Sequence, residues 1–483
     1  MKAMLLFPTP VVLFALSLTA CVAVGPDYVQ PTPDVPASWN RIERTAIPQT
    51  PDDAAGDLSS WWRTLNDPLL SELVEEALRG SPDLRSARAK VREARARRGV
   101  AAAGFFPDVT ASGNYRRSRS SEDTGSGDTR ELFSAGFDAG WELDVFGGVR
   151  RGVEAAEADL ESSEANLQDT RVTLVAETAL NYMEVLTQRI LLGIARDNLA
   201  SQTETLQLTT WRAQAGLVSS QDVEQARTSR EQTRALIPRL EIGLAEAEHR
   251  LDILLGKTPG TLHARLAAAG GLPAVPEKIA VGIPADTLRR RPDVRSAERK
   301  LAAETARVGI AEAARYPSFT LSGSIGLEAL TLSALGNSGS ATYSLLAGIT
   351  SPIFNAGRLR SQVEIQDAVR EQALVNYEKT VLGALQDVEN ALVTLARTNE
   401  RGEALSNALA AARTAEKLAR QRYSSGLIDF QSVLDTQRTV LTVEESLASN
   451  RSNGVLALIS LYKALGGGWS SSTETAPAGK DTP

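Results

Sequence analysis

The sequence predicts a mainly α-helical chain with a membrane β-hairpin region, built as a duplicated unit. Three observations predict it. A shift of 210 positions superposes the two halves. Each half holds a long Pro-free stretch with apolar residues seven apart, the signature of long packed helices. Each half also holds a segment of period-two polarity, the signature of a strand with one apolar face.

The repeat comes first, because missing it would misread the fold. Pro82-Asp83 matches Pro292-Asp293, and Arg85-Ser86-Ala87 matches Arg295-Ser296-Ala297. Pro107 matches Pro317; Gly216-Leu217 matches Gly426-Leu427; Leu255-Gly256 matches Leu465-Gly466. Each half reads helix, β-hairpin, long helix, turn, helix. The first helix is expected over Asp67–Gly104, with Ala77, Leu84 and Val91 seven apart, and its counterpart over Pro284–Arg315. Pro107 and Pro317 end them, since proline disfavours helix in the preceding residue.

Strands follow. Phe133, Phe137, Trp141, Leu143 and Val145 alternate with Ser134, Asp138, Glu142 and Asp144. The second half offers Ser318–Leu327 and Tyr343–Phe354. The polar loops 118–130 and 331–340 read as exposed.

The long helices are expected over Val149–Ala213, through Leu160, Leu167 and Leu174, and around Leu374, Val381, Val388 and Leu395. About 65 residues make on the order of 100 Å of helix. A free-standing coiled coil is the competing reading. Gly216 and Gly426 break the pattern, and helices return over Ser220–Leu255 and Phe430–Leu465.

Composition narrows function. Lys+Arg 52 against Asp+Glu 59 gives a net charge of −7, which disfavours a nucleic-acid partner. Two His and one Cys are a poor kit for metal, cofactor or redox chemistry. His249 and His263 read as ordinary polar residues. No nucleophile elbow or triad supports a hydrolase, so no catalytic residue is assigned. Gly466-Gly467-Gly468 follows a helix and reads as a helix stop. The basic run Arg92–Arg98 reads as a solvated face, with contact to an acidic helix as the second reading.

The first twenty residues carry Lys2, then an apolar run, then small residues before Cys21, which is the pattern of a secretory signal. Leu18-Thr19-Ala20-Cys21 resembles the bacterial lipobox, in which the cysteine is lipidated; an ordinary signal with a chance cysteine is the alternative. Acyl chains anchor at about 0.8 kcal/mol per buried CH₂. The expected boundaries are 1–20 for the signal peptide and 21–66 for a lipidated extended segment. Residues 107–146 and 317–354 are the hairpins; 67–106, 147–316 and 355–466 are helical; 467–483 is a flexible tail.

Strands of about 9–11 residues with alternating polarity fit a bilayer, but a spanning sheet must close. Four strands cannot close a barrel alone. Either the sheet is soluble or chains share one barrel, and three chains supply twelve strands.

Several motifs carry a family resemblance across nearly all of the mature chain. They are Cys21 with Val24-Gly25-Pro26-Asp27-Tyr28, Arg289-Arg290-Arg291-Pro292-Asp293, Ser351-Pro352-Ile353-Phe354 to Gly357-Arg358, Arg422-Tyr423-Ser424-Ser425-Gly426, and Leu461 to Trp469. In this order, on a duplicated unit, they resemble the TolC-like outer-membrane efflux lipoproteins. The resemblance implies a homotrimer with a twelve-stranded β-barrel in the outer membrane of a Gram-negative bacterium. A long periplasmic α-helical barrel with a mixed equatorial region continues it. It implies the exit duct of a tripartite multidrug pump, with outer-membrane lipid, a periplasmic adaptor and an inner-membrane transporter of the resistance–nodulation–division type as partners. A poreless periplasmic scaffold and a protein-secretion duct are the alternatives.

By the same resemblance Tyr423, Asp435 and Arg438 fall on the periplasmic gate. The family often has an apolar residue where Gln431 stands. Read alone, Asp435 and Arg438 are three apart on one helix face, and a solvated ion pair explains them better than a gate. Gly216, Leu217, Gly426 and Leu427 are candidate adaptor-docking tips, and helix-capping glycines by the plainer reading. In a duct, Asp138, Glu142 and Asp144 would line the lumen if Phe137, Trp141 and Leu143 face lipid.

Overall fold

The computed structural model describes residues 23–39, 58–276 and 284–469. The signal peptide, Cys21 and residues 470–483 lie outside them. The helices are α1 Pro68–Gly80, α2 Pro82–Ala103, α3 Gly148–Gln214, α4 Ser220–Leu254, α5 His263–Ala267, α6 Pro284–Arg290, α7 Pro292–Ala313, α8 Arg358–Ser424 and α9 Phe430–Ala464. The strands are β1 Asp108–Arg119, β2 Thr129–Leu143, β3 Ser318–Ala329 and β4 Ala341–Thr350. The duplication is kept residue for residue: α2 and α7 each have 22 residues, α3 and α8 each 67, and α4 and α9 each 35.

The predicted helix Asp67–Gly104 is two helices. Ser81 leaves the helical region at ψ 128°, because Pro82 lacks an N–H and crowds the residue before it. Asp67 caps α1 by accepting from the Leu70 N–H at 3.0 Å. Pro292 divides the second-half helix into α6 and α7 in the same way. The heptad residues Ala77, Leu84 and Val91 are nevertheless all buried, so the apolar stripe crosses the break.

Two units form. The first comprises residues 23–32, 90–164 and 296–378 and contains the sheet. Its strands run β1-β2-β3-β4, all antiparallel, so β1 and β4 are edges. The expected strand Tyr343–Phe354 stops at Thr350, where Pro352 removes a ladder donor; Ile353 and Phe354 are exposed. β2 stops at Leu143, one residue short of Asp144 and two short of Val145.

The second unit holds the larger core. Trp61 stacks on Tyr462 with centroids 5.1 Å apart and meets Trp62 edge-on. Leu70, Leu73, Tyr182, Met183, Leu251 and Leu458 are closed around them. The Tyr182 hydroxyl donates to Asp67 Oδ2 at 2.9 Å, so the α1 cap is also a core contact. Residues 58–65, expected to be extended, wind as a 3₁₀ segment that buries Trp61, Trp62 and Leu65 together. Gly467 and Gly468, expected in a flexible tail, are held by backbone bonds: the Gly467 N–H donates to the Tyr462 carbonyl at 2.9 Å, and Gly468 to that of Leu58 at 2.8 Å.

Candidate functional site

The sheet register sorts the side chains into two faces. Phe137 lies opposite Ile325, and Ile325 opposite Tyr343. Leu143 lies opposite Phe319, and Phe319 opposite Ile349. Directly opposed residues share a face, so the odd-numbered positions form one surface across all four strands, apolar except at its loop end, where Arg117 lies opposite Glu131 and Arg119 opposite Thr129. The even positions form the other: Thr110, Asp138, Ser324 and Ser344 fall in one row, and Glu142 lies opposite Thr320. Ser112 donates to Asp138 Oδ2 at 3.1 Å. Among the described residues, no helix is long and apolar enough to cross a membrane.

Asp138 and Glu142 thus lie on the face away from Phe137, Trp141 and Leu143, as the alternation predicts. Asp144 does not belong with them. Its two carboxylate oxygens accept the Val149 and Arg150 N–H groups at 2.9 and 3.0 Å, and it pairs with the Arg150 guanidinium at 3.1 Å. It caps α3, where free N–H groups favour a carboxylate.

The N-terminal motif is held by a residue that sequence reading passed over. The Arg151 guanidinium is buried, with its side chain 5% exposed. It donates to the Val24 carbonyl at 3.1 Å, the Gly25 carbonyl at 3.3 Å and Asp27 Oδ1 at 2.7 Å, and to Glu154 at 2.7 Å. Gly25 has φ +89°, and a Cβ there would stand 2.5 Å from Gly309 Cα. The Tyr28 hydroxyl donates to Glu298 at 2.5 Å while Arg299 covers its ring. Burial raises that phenol further, followed by the Glu298 hydrogen bond. A lone basic residue inside Arg150-Arg151 carries no local signal of this role.

The two turns Gly216–Ser219 and Gly426–Asp429 are built alike. Leu217 N–H donates to the Arg212 carbonyl and Gly216 N–H to that of Ala213; Leu427 and Gly426 repeat this with Arg422 and Tyr423. These are Schellman closures, and the glycines take φ +72° and +74°, where a side chain would be strained. Ser219 forms a capping box with Asp222, and Asp429 caps α9 through the Ser432 N–H at 3.0 Å. The turns leave Leu217 67% and Leu427 74% exposed, with no atom near the glycine Cβ positions.

The expected gate residues separate into two groups within one protomer. Tyr423 is 7% exposed and packs with Leu206, Phe430 and Leu434. Arg212 lies over its ring at 4.5 Å. Burial raises the Tyr423 phenol, and the nearby Arg212 charge opposes this. Asp435 and Arg438 are solvent-facing and 3.8 Å apart, and Gln431 donates to Asp435 Oδ1 at 2.9 Å.

His263 Nδ1 lies 2.8 Å from Glu248, whose hydrogen bond raises the imidazole above its ordinary value. His249 is not part of that contact. The basic run satisfies both of its readings: Arg95 reaches Glu164 at 3.4 Å and Arg98 reaches Glu157, yet the helix face stays exposed.

Known proteins share this architecture. The family model described as outer membrane efflux protein matches residues 73–257 and 283–467, two spans offset by the same 210 residues as the repeat. The pyoverdine export outer membrane protein OpmQ of Pseudomonas putida is 32% identical over 469 residues, covering 95% of this chain and 97% of OpmQ. The solvent efflux pump outer membrane protein SrpC of Pseudomonas putida is 32% identical over 467 residues, covering 95% of this chain and 98% of SrpC. The solved outer-membrane channel OprN superposes with a TM-score of 0.85 at 36% identity, covering 92% of this chain and 99% of OprN. The chain belongs to the outer membrane efflux protein family.

Proposed function

We infer that three copies of this chain close a twelve-stranded barrel and form a passive, gated duct of the outer membrane. The observation that carries this reading is the sheet: one face apolar up to its Arg117–Glu131 end, one mainly polar face and two open edges. Open edges are untenable in lipid, and closure with neighbouring copies removes them. The polar face, with Asp138 and Glu142, then lines a hydrated lumen. Bond chemistry has no part in this function, and no cofactor is assigned.

Cys21 is the lipid anchor in this reading. Three residues of extended chain span at most about 11 Å, so the acyl chains enter the bilayer close to the clasped Val24. The exposed Leu217 and Leu427 turns dock a periplasmic adaptor, which couples the duct to an inner-membrane transporter of the resistance–nodulation–division type. OpmQ is named for pyoverdine export and SrpC for solvent efflux, which supports drugs or other small toxic compounds as cargo.

Gating is assigned to α9. Asp435, Arg438 and Gln431 form the solvent-facing group that neighbouring copies can engage, and Tyr423 sets the end of α8 from inside the protomer. Charge reversal at Asp435 or Arg438 is expected to raise single-channel conductance in planar bilayers and antibiotic leak in cells. Unchanged conductance and leak would reject the gate assignment.

A further inference from the structure

The two faces of the sheet hold their charges differently. At one end the strands join α2, α3, α7 and α8; at the other, loops 120–128 and 330–340 connect them. On the even-numbered face the charged side chains sort by height between these ends. Glu142, Asp108, Asp138 and Glu328 fill the rows from the helix end up to Ser134, which lies opposite Glu328. Arg116 and Arg130 fill the last rows before the loops, with Arg116 opposite Leu132 and Arg130 opposite Ser118. No acid of this face stands on the loop side of either arginine.

This register makes Arg116 and Arg130 diagonal neighbours on adjacent strands, about 7–8 Å apart. Both are exposed, and among the described residues neither has an ion pair or a side-chain hydrogen bond. The arginines of the odd-numbered face are neutralised instead. Arg117 stands 3.7 Å from Glu131. Arg119 pairs with Glu122 at 3.2 Å and donates to the Gly127 carbonyl at 3.0 Å. Acids are therefore present at this end of the hairpin, and they serve the other face.

Strand pairing does not require the two unpaired charges. The counterpart of Arg116 in the repeat is Gly326. Neighbouring like charges repel, and a multivalent anion between them removes the repulsion. Guanidinium groups suit that role, because they stay charged and their planar forks match phosphate and carboxylate oxygens.

We propose that Arg116 and Arg130 form an anion-binding ring at the outer mouth of the duct, taking multivalent solutes that bear phosphate or carboxylate groups. The inference rests on the three-copy reading above, in which this face lines the lumen and the loops open to the exterior. Three copies bring six guanidinium groups to one opening, two from each chain. Low-dielectric walls focus their field. The acidic rows behind them repel the same anions, so an anion is held at the mouth and not drawn through. An external polyanion seated there plugs the duct from outside.

The test uses purified full-length protein in planar bilayers, with inorganic tripolyphosphate as the probe. Added on the loop side, tripolyphosphate is expected to interrupt the unitary current reversibly. Arg116→Gln with Arg130→Gln should keep the steps but raise the half-blocking concentration at least about tenfold. Arg116→Lys with Arg130→Lys keeps the charge and should retain most of the block. Arg117→Gln with Arg119→Gln, on the opposite face, should leave the block unchanged. Added on the helix side, the probe should block less well. Steps that ignore the probe, block that survives the first double variant, block lost in the Arg117 and Arg119 variant, or equal block from both sides would overturn the ring and leave the duct reading intact. Protein that inserts and gives no steps at all overturns both.

Discussion

Arg212 lies 4.5 Å above the ring of Tyr423 and donates to the Tyr423 carbonyl at 3.0 Å, so one side chain ties the end of α3 to the end of α8. The contact joins equivalent ends of the two repeats, yet it is not symmetric: Arg422, the counterpart of Arg212, is exposed. Arg212→Ala should loosen this end by about 1–2 kcal/mol, the worth of a cation–π contact plus a charged hydrogen bond. Hydrogen exchange across residues 424–430 should quicken, while exchange in the Trp61–Tyr462 core stays unchanged.

The Arg151 clasp makes a second prediction. Asp27 and Glu154 are partly or fully in water, so removing the guanidinium strands no buried charge. Arg151→Ala should therefore cost about 1–3 kcal/mol locally rather than unfold the chain. Gly25→Ala should match it by a different route, steric contact with Gly309. Limited proteolysis within residues 24–32 should become fast in both variants.

Asp169 supplies a pH dependence. Partial burial raises its carboxyl above the ordinary value, and nearby Asp293 adds to this, against Lys463 and Arg291. The folded state then holds a proton that the unfolded state releases, so stability falls as pH rises from the ordinary carboxylate value to the raised one. Asp169→Asn removes that loss. The variant should melt higher than wild type at pH 7, and the difference should shrink as pH falls below the raised value. A constant difference from pH 4 to 7 would contradict this.

The turns give a fourth prediction. Leu217→Asp or Leu427→Asp changes a side chain with few contacts, so the melting temperature should hold while adaptor binding in pull-down or calorimetry drops at least about tenfold. Gly426→Ala instead places a side chain at φ +74° and should cost about 1 kcal/mol of stability.

Much of this was legible along the chain. Leu160 through Leu174 and Leu374 through Leu395 located α3 and α8, because a heptad without proline has few other uses. Gly216 and Gly426 marked the turns because only a residue tolerant of positive φ closes those helices. Features where two local patterns compete, or whose partners are distant, stayed hidden. Ser81 breaks a helix whose apolar stripe continues through it. Asp144 kept the strand's alternation but serves the next helix. Arg151 meets partners more than 120 residues away. Tyr423 matched the gate by motif, yet its surroundings within the protomer are Arg212 and an apolar cluster.

The central claim is an aqueous duct lined by the polar face of the sheet. Unitary conductance of the purified protein in planar lipid bilayers tests it most directly. Discrete, ohmic steps are predicted, with cation preference lowered by Asp138→Asn and Glu142→Gln together. Absence of steps from protein that has inserted, or steps whose ion preference ignores those two carboxylates, would contradict it.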